Sequence, residues 1–387
     1  MTRAPRKGLC LATVALAVTL GAAASSFAQQ PAPAPTPEAT PAPEATPAPA
    51  PEPRVQVGGW VDVYYGYNFN GTDPALRTYD VQHQAFSLSA AEVNFAKVPS
   101  VDSRVGFRTD LWFGRAADLT ALFEPQKEGS PSSVTEGKEV YKNIQQAYAS
   151  VLLGSSVQID AGKFVTPIGA EVIEAQDNWN YTRSTLFGYA IPFYHTGLRA
   201  TVTVSPKLTL AGYLVNGWNS GIDTEGDKTF ALGATLKPIG SLTWIANYMV
   251  GKEATDLDTR HLFDTTLTLA ATSKLSLMGN FDYGKEGDVE WWGIAAYAKV
   301  QATPSWAVAA RYEYLDDTKG GFMTFGTKAQ TITVTSDHTI AGALKARLEY
   351  RTDFADEDIF EEDDGSFAGS QTTLTVGVVY SFGGGLF

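Results

Sequence analysis

The chain has 387 residues, 12% aromatic and only 18% charged, with 36 glycines and a formal charge of −13. That acidity excludes nucleic acid as a partner, and the balance of glycine and aromatics favours β structure over ordinary soluble domains. The single cysteine, Cys10, lies inside an N-terminal apolar run, so the mature chain is expected to have neither thiol chemistry nor a disulfide.

Residues 1–28 read as an export signal. Arg3, Arg6 and Lys7 form a basic region, Leu9 to Leu20 an apolar one, and Ser26-Phe27-Ala28 offers small residues for cleavage after Ala28. Losing this leader lowers the formal charge by three, to −16. Cys10 comes before the apolar region instead of after it, which argues against a lipoprotein. Residues 29–53 read as a disordered periplasmic linker, rich in Pro and Ala and carrying Pro-Glu-Ala-Thr twice. As polyproline II it would span roughly 70 Å at about 3.1 Å per residue, either as a solvated spacer or as a tether toward the cell wall.

From Arg54 to Phe387 the sequence breaks into short alternating blocks. The period predicts sixteen strands, near 55–69, 84–98, 102–114, 143–153, 156–165, 195–204, 208–217, 228–237, 242–251, 261–271, 275–284, 290–300, 306–315, 328–335, 339–352 and 371–382. The last is the clearest: Thr372, Leu374, Val376, Val378, Tyr380 and Phe382 can face hydrocarbon, while Thr373, Thr375, Gly377, Val379 and Ser381 face the other way. A lone strand cannot lie in a bilayer with its N–H and C=O groups unpaired, so this segment demands a closed sheet. Tight joins at 99–101, 154–155, 205–207, 238–241, 272–274, 301–305 and 336–338 alternate with mostly long ones. That is the pattern of minimal periplasmic turns and large outer loops. The fold class is therefore all-β, a closed antiparallel transmembrane β-barrel of about sixteen strands, with both termini on the short-turn side.

Aromatics are expected to sort into two interface belts. Tyr65, Tyr67, Trp218, Tyr248, Tyr283, Tyr314 and Tyr350 would mark one, and Trp60, Phe95, Trp244, Trp306, Tyr380 and Phe382 the other. The faces opposite the apolar ones carry Arg104, Arg108, Asp110, Arg199, Asp282, Arg311, Glu313, Lys345, Arg347, Glu349 and Arg351. A watery lumen would hold such charges cheaply, and sixteen strands leave room for one.

Gly58 to Tyr65, Gly162-Lys163-Phe164 with Pro167-Ile168-Gly169, Asn178 to Ser184, Pro192 to Gly197 and Asn216-Gly217-Trp218 resemble the OmpL-like family of bacterial outer-membrane β-barrel porins. The likeness is most specific from Gly58 to Gly221, and it implies an outer-membrane channel with no assigned solute. It also implies outer-membrane lipid, lipopolysaccharide and the barrel-assembly machinery as partners. Barrels of this kind commonly end on an aromatic residue; here Phe382 and the terminal Phe387 are both available for that signal. General porins, which the architecture resembles, are homotrimers and fold a loop inward after the fifth strand. The corresponding segment here, 166–194, holds Glu171, Glu174, Asp177 and Arg183. The acids are expected to face Arg104, Arg108, Arg199 and Arg347 across a pore constriction to which Arg183 also belongs, where a transverse field would orient passing solutes. The other reading is a solvent-exposed cap over the mouth.

Other chemistry is faint. His83, His195, His261 and His338 lack paired ligand spacing, and no nucleophile elbow, Walker loop or dinucleotide fingerprint is present. The acidic run from Asp353 to Asp364 departs from EF-hand order and reads as a solvated outer loop, or as a site of divalent bridging to lipopolysaccharide. The sequence thus points to passive diffusion of small hydrophilic solutes or ions, with no cofactor, no metal and no enzymatic activity. A structural or adhesive barrel without conductance is the alternative, and an outer-membrane hydrolase would require a Ser/His pair that does not stand out.

Overall fold

The computed structural model describes residues 55–124, 141–223, 226–253, 257–319 and 326–386. The expected signal and linker, and Phe387, lie outside these residues. Strands β1 (Val55–Asn68), β2 (Ala85–Lys97), β3 (Val105–Phe113), β4 (Ile144–Leu153), β5 (Val157–Val165) and β6 (Tyr194–Ser205) are followed by β7 (Leu208–Val215), β8 (Thr229–Ile239), β9 (Leu242–Lys252) and β10 (Thr259–Ala270). Then come β11 (Leu275–Glu286), β12 (Val289–Thr303), β13 (Trp306–Lys319), β14 (Lys328–Ala341) and β15 (Leu344–Ala355). A two-stranded ribbon, β16 (Phe360–Glu361) with β17 (Phe367–Ala368), decorates the last loop, and β18 (Ser370–Leu386) completes the chain.

Every barrel strand pairs antiparallel with its neighbours, and β18 closes the sheet against β1 from Val55↔Leu386 to Asn68↔Thr373. The result is a closed 16-strand antiparallel barrel. Closure leaves no strand edge, as a hydrocarbon environment requires. Both ends of the paired chain lie at the rim of short turns, as the even strand count dictates.

The period-two pattern sets the two faces of the wall. On β18, Leu374, Val376, Tyr380 and Phe382 are exposed to the outside, while Gln371, Thr373, Thr375 and Val379 are buried. The same alternation exposes Phe230 and Leu232, Trp244 and Tyr248, and Trp306 and Tyr312. Two belt aromatics go elsewhere. Trp60 is 2% exposed and stands opposite Glu92 and Ser381 on the inner face, and Trp218 packs edge-on against Trp291 at 6.1 Å inside the mouth. Rim position is legible from a strand's end, but inward or outward facing depends on register, and one residue of slip reverses it.

The turn expected at 336–338 is strand instead. Ser336, Asp337 and His338 pair with Leu348, Arg347 and Ala346, and the chain reverses at Gly342, where φ is +54°. Ser-Asp-His has turn-like composition, but glycine takes the left-handed conformation without a Cβ penalty. Outer connections are not uniformly long either, since Gly287-Asp288 alone joins β11 to β12.

Three outer segments turn back into the barrel. The first loop runs from 69 to 84; the second carries helix α1 (Arg115–Ala121); the third, 166–193, carries a 3-10 turn at Ala175–Asp177 and helix α2 (Thr185–Tyr189). Ser184 caps α2, its Oγ accepting from Phe187 N at 2.9 Å. Together they bring Tyr79, Ala117, Ile168, Ile173, Leu186, Phe187, Ile191 and Phe193 against wall residues Trp112 and Trp291. This apolar cluster fills part of the interior near the long-loop end.

Candidate functional site

Why the third loop lies inside the barrel follows from period-two placement on β13 and β15. Arg311 and Glu313, and Arg347, Glu349, Arg351 and Asp353, fall on inward faces and are all at most 1% exposed. Arg311 Nη1 pairs with Glu171 Oε1 at 2.7 Å and donates to the Thr182 carbonyl at 2.7 Å, while its Nε pairs with Glu313 at 3.1 Å. Arg347 donates to the carbonyls of Ala175 at 2.5 Å and Asn178 at 2.9 Å, and pairs with Asp337 at 2.9 Å. Arg351 donates to the Arg183 carbonyl at 2.7 Å and pairs with Asp353 at 2.8 Å. Glu349 accepts from the backbone N–H groups of Tyr181 at 2.6 Å and Thr182 at 3.0 Å.

The wall therefore sets guanidinium groups against the loop carbonyls of Ala175, Asn178, Thr182 and Arg183, and a carboxylate against the N–H groups of Tyr181 and Thr182. Loop backbone without regular secondary structure is tolerated at membrane depth only when satisfied in this way. These wall charges were expected to be bathed in water. They are instead buried and paired, because the third loop covers them. Asp353 belongs to this set and not to the acidic outer run; Arg77 of the first loop pairs with it at 2.8 Å. Its place on β15, two residues beyond Arg351, is the signal that assigns it to the inner face.

The residues expected to form a constriction separate into three groups. Glu171, Arg183 and Arg347 fasten the loop: Arg183 turns back on its own loop, its Nη1 donating to the Tyr181 carbonyl at 2.5 Å and its Nη2 to that of Ile173. Glu174 is half-buried at the start of the 3-10 turn, and burial raises its carboxyl above the usual range. Asp177 is exposed and, with Gln176, faces Gly58, Trp60, Asn94 and Arg108 across a cavity of about 560 Å³.

Arg108 pairs with Asp110 on its own strand at 2.8 Å and remains part-exposed, with 39% of its side-chain surface accessible. Arg199 is paired across the wall to Asp160 at 2.7 Å. Arg104 is not brought to the loop at all. It precedes β3, is exposed, and donates to the Gly154 carbonyl at 2.5 Å in the neighbouring short turn. Sequence reasoning missed Arg311 and Arg77 as partners of the loops, since nothing in the spacing says which guanidinium a distant loop will reach.

The histidines hold ordinary hydrogen bonds. His195 is buried between the Gly217 carbonyl and Thr166 Oγ1, each at 3.1 Å; His261 meets Tyr248 OH at 2.7 Å, and His338 meets Ser336 Oγ at 2.9 Å. Among the described residues no three His, Cys, Asp or Glu side chains are grouped so as to hold a metal ion.

A model of the family described as "Putative beta-barrel porin-2, OmpL-like" matches residues 54–382, nearly the whole barrel. The chain belongs to the OmpL-like porin family. As a porin of the outer membrane it is a passive-diffusion channel, and both family and fold are those of a channel. Comparison with curated proteins returns no match.

Among solved structures, the porin is similar in fold to an anion-selective porin from Comamonas acidovorans, with a TM-score of 0.58, 12% identity, and coverage of 86% of this chain and 100% of that one. The outer-membrane channel DcaP of Acinetobacter baumannii gives 0.55 at 13% identity, covering 85% and 97%. Salmonella typhi OmpF, in complex with daunomycin, gives 0.57 at 11% identity, covering 85% and 98%. At such identities the likeness is one of architecture.

Proposed function

We propose that small hydrophilic solutes or ions cross this porin along the side of the lumen that the third loop leaves open, between Asp177 and the β1–β3 wall. The observation that carries this reading is the cavity of about 560 Å³ bounded by Asp177 and Gln176 on one side and by Arg108, Asn94 and Gly58 on the other. Charges of opposite sign across a narrow aqueous gap set up a transverse field and select by width and charge. No bond chemistry and no cofactor enter: passage follows the solute gradient.

Of the residues read as a constriction, Asp177 and Arg108 would flank the path, with Glu174 behind them. Glu171, Arg183 and Arg347 hold the loop in place, and Arg199 and Arg104 act on the wall and rim. The test is conductance in planar bilayers under a salt gradient. Asp177→Asn should move the reversal potential toward anion preference and Arg108→Gln toward cation preference; two unmoved potentials would place the path elsewhere.

A second reading is favoured by the apolar cluster around Leu186 and Phe187 and by the density of arginine–carbonyl bonds. Under it the barrel is closed and serves as an anchor, with residues 29–53 tethering it to the cell wall. That reading requires retention by peptidoglycan with no conductance. Export by a signal cleaved after Ala28, insertion by the barrel-assembly machinery, and contact with lipopolysaccharide complete the proposal. A homotrimer is part of it too: a Vibrio cholerae OmpT structure of like fold is described in a trimer form.

A further inference from the structure

The first turn of the third loop rests on two carboxyl groups that, among the described residues, no basic side chain neutralises. Asp264 on β10 and Asp282 on β11 stand directly opposite each other on the inner face, and both are 0% exposed. Asp264 is rich in donors. Asn247 Nδ2 donates to its Oδ1 at 2.8 Å and Asn280 Nδ2 to its Oδ2 at 2.9 Å. Asp282 has none: neither carboxyl oxygen has a hydrogen-bond partner, because the neighbouring Asn280 amide is directed at Asp264 and at the Thr265 carbonyl, 3.3 Å away.

Among the described residues the surroundings supply no countercharge. On β9 the facing residue is Asn247; on β12 it is Gly293, over which Leu186 of the loop lies so closely that a Cβ there would fall 2.9 Å from its Cδ1. Farther along the same two strands, Arg260 and Glu286 pair with each other at 2.9 Å, and Arg311 on β13 is taken by Glu171 and Glu313. Asn247 also donates to the Pro167 carbonyl at 3.2 Å, so the pair is tied to the loop at Pro167. Two adjacent buried carboxylates without a cation repel strongly, whereas a carboxylic acid beside a donor-saturated carboxylate makes a short, strong hydrogen bond.

We propose that Asp282 and Asp264 hold one proton between them, Asp282 as the acid and Asp264 as the carboxylate, and that this pair is an alkaline-sensitive latch for the third loop. Removing the proton leaves two charges under Leu186 and beside the Pro167–Gly169 turn, and the loop relieves them by lifting to admit water. The latch rests on the porin reading for its readout in conductance, but not for its chemistry.

Infrared difference spectra of the purified barrel test the chemistry alone. At neutral pH the wild-type protein should show a protonated-carboxyl C=O band that is lost in Asp282→Asn; spectra identical in that region would overturn the proposal. Conductance tests the latch. As pH is raised into the alkaline range the wild-type channel should become more conductive, and Asp282→Asn, whose amide cannot ionise and can still donate to Asp264, should lose that rise. Asp264→Asn, which leaves at most one charge at the pair, should lose the rise as well, with heat-modifiable migration on gels confirming its fold. A pH response retained in Asp282→Asn would overturn the latch, as would one reproduced by calcium chelation at fixed pH, which would assign a bound cation instead of a proton.

Discussion

Arg311 is fully buried, yet its guanidinium has a partner in every direction: Glu171 and Thr182 of the loop, Glu313 and Thr333 of the wall. A buried ion is tolerable only when so surrounded, and removing one member of the set leaves the others uncompensated at about 3–5 kcal/mol. Arg311→Met should accordingly lower the urea midpoint of the folded barrel and free 166–193 to limited proteolysis, with noisier single-channel current. Asp80 in the first loop argues the same physics from the acid side. Burial pushes its carboxyl up to about 7, more than Arg77, 3.2 Å away, pulls it down. Because the folded value lies above the unfolded one of 3.8, the contribution of Asp80 to docking is full below about pH 4 and disappears as pH rises through about 7. Protection of 69–84 against hydrogen exchange, relative to the unstructured rate at each pH, should therefore fall between acid and mildly alkaline pH, and Asp80→Asn should flatten the dependence.

At the scale of elements, the third loop and the β13–β15 wall behave as one unit, with Gly377 on β18 making room for it. A Cβ at Gly377 would lie 2.4 Å from the Tyr181 ring, whose hydroxyl donates to Asp62 at 2.9 Å. Gly377→Ala should thus displace Tyr181 and loosen the loop without touching a charge, visible as faster proteolysis between Tyr181 and Arg183. Deleting Glu171 to Arg183 should raise single-channel conductance, since the wall beneath is wide enough for water once uncovered; unchanged conductance would remove the loop from the path. The loop's presence was readable from its length, its position after the fifth strand and its acids. Its seat was not, because the carbonyls of Ala175, Asn178, Thr182 and Arg183 carry no mark in the sequence of where they will point.

For the whole molecule, the outer wall is fixed by the medium it faces. Val376 is 45% exposed near mid-height on β18, between Tyr65 and Leu348. A charge placed there meets hydrocarbon, so Val376→Lys should destabilise the barrel by about 2–4 kcal/mol in folding titrations into vesicles. Sixteen strands and their two faces could be read from alternation because a strand's period is two and a closed wall between lipid and lumen obeys it throughout. Where the pattern misled, at Trp60 and at Ser336 to His338, the local composition was compatible with either face or with a turn, and the neighbouring strand made the choice.

By itself the sequence determined that there are sixteen strands, that they must close, and where most of the turns between them lie, since each follows from hydrogen-bond satisfaction and side-chain period along one stretch of chain. Only the tertiary structure decided what fills the lumen. The loop partners of Arg311 and Arg347, Glu171 and the Ala175 carbonyl, lie 140 and 172 residues away, and no local rule relates a wall residue to the loop turn that will come to rest on it.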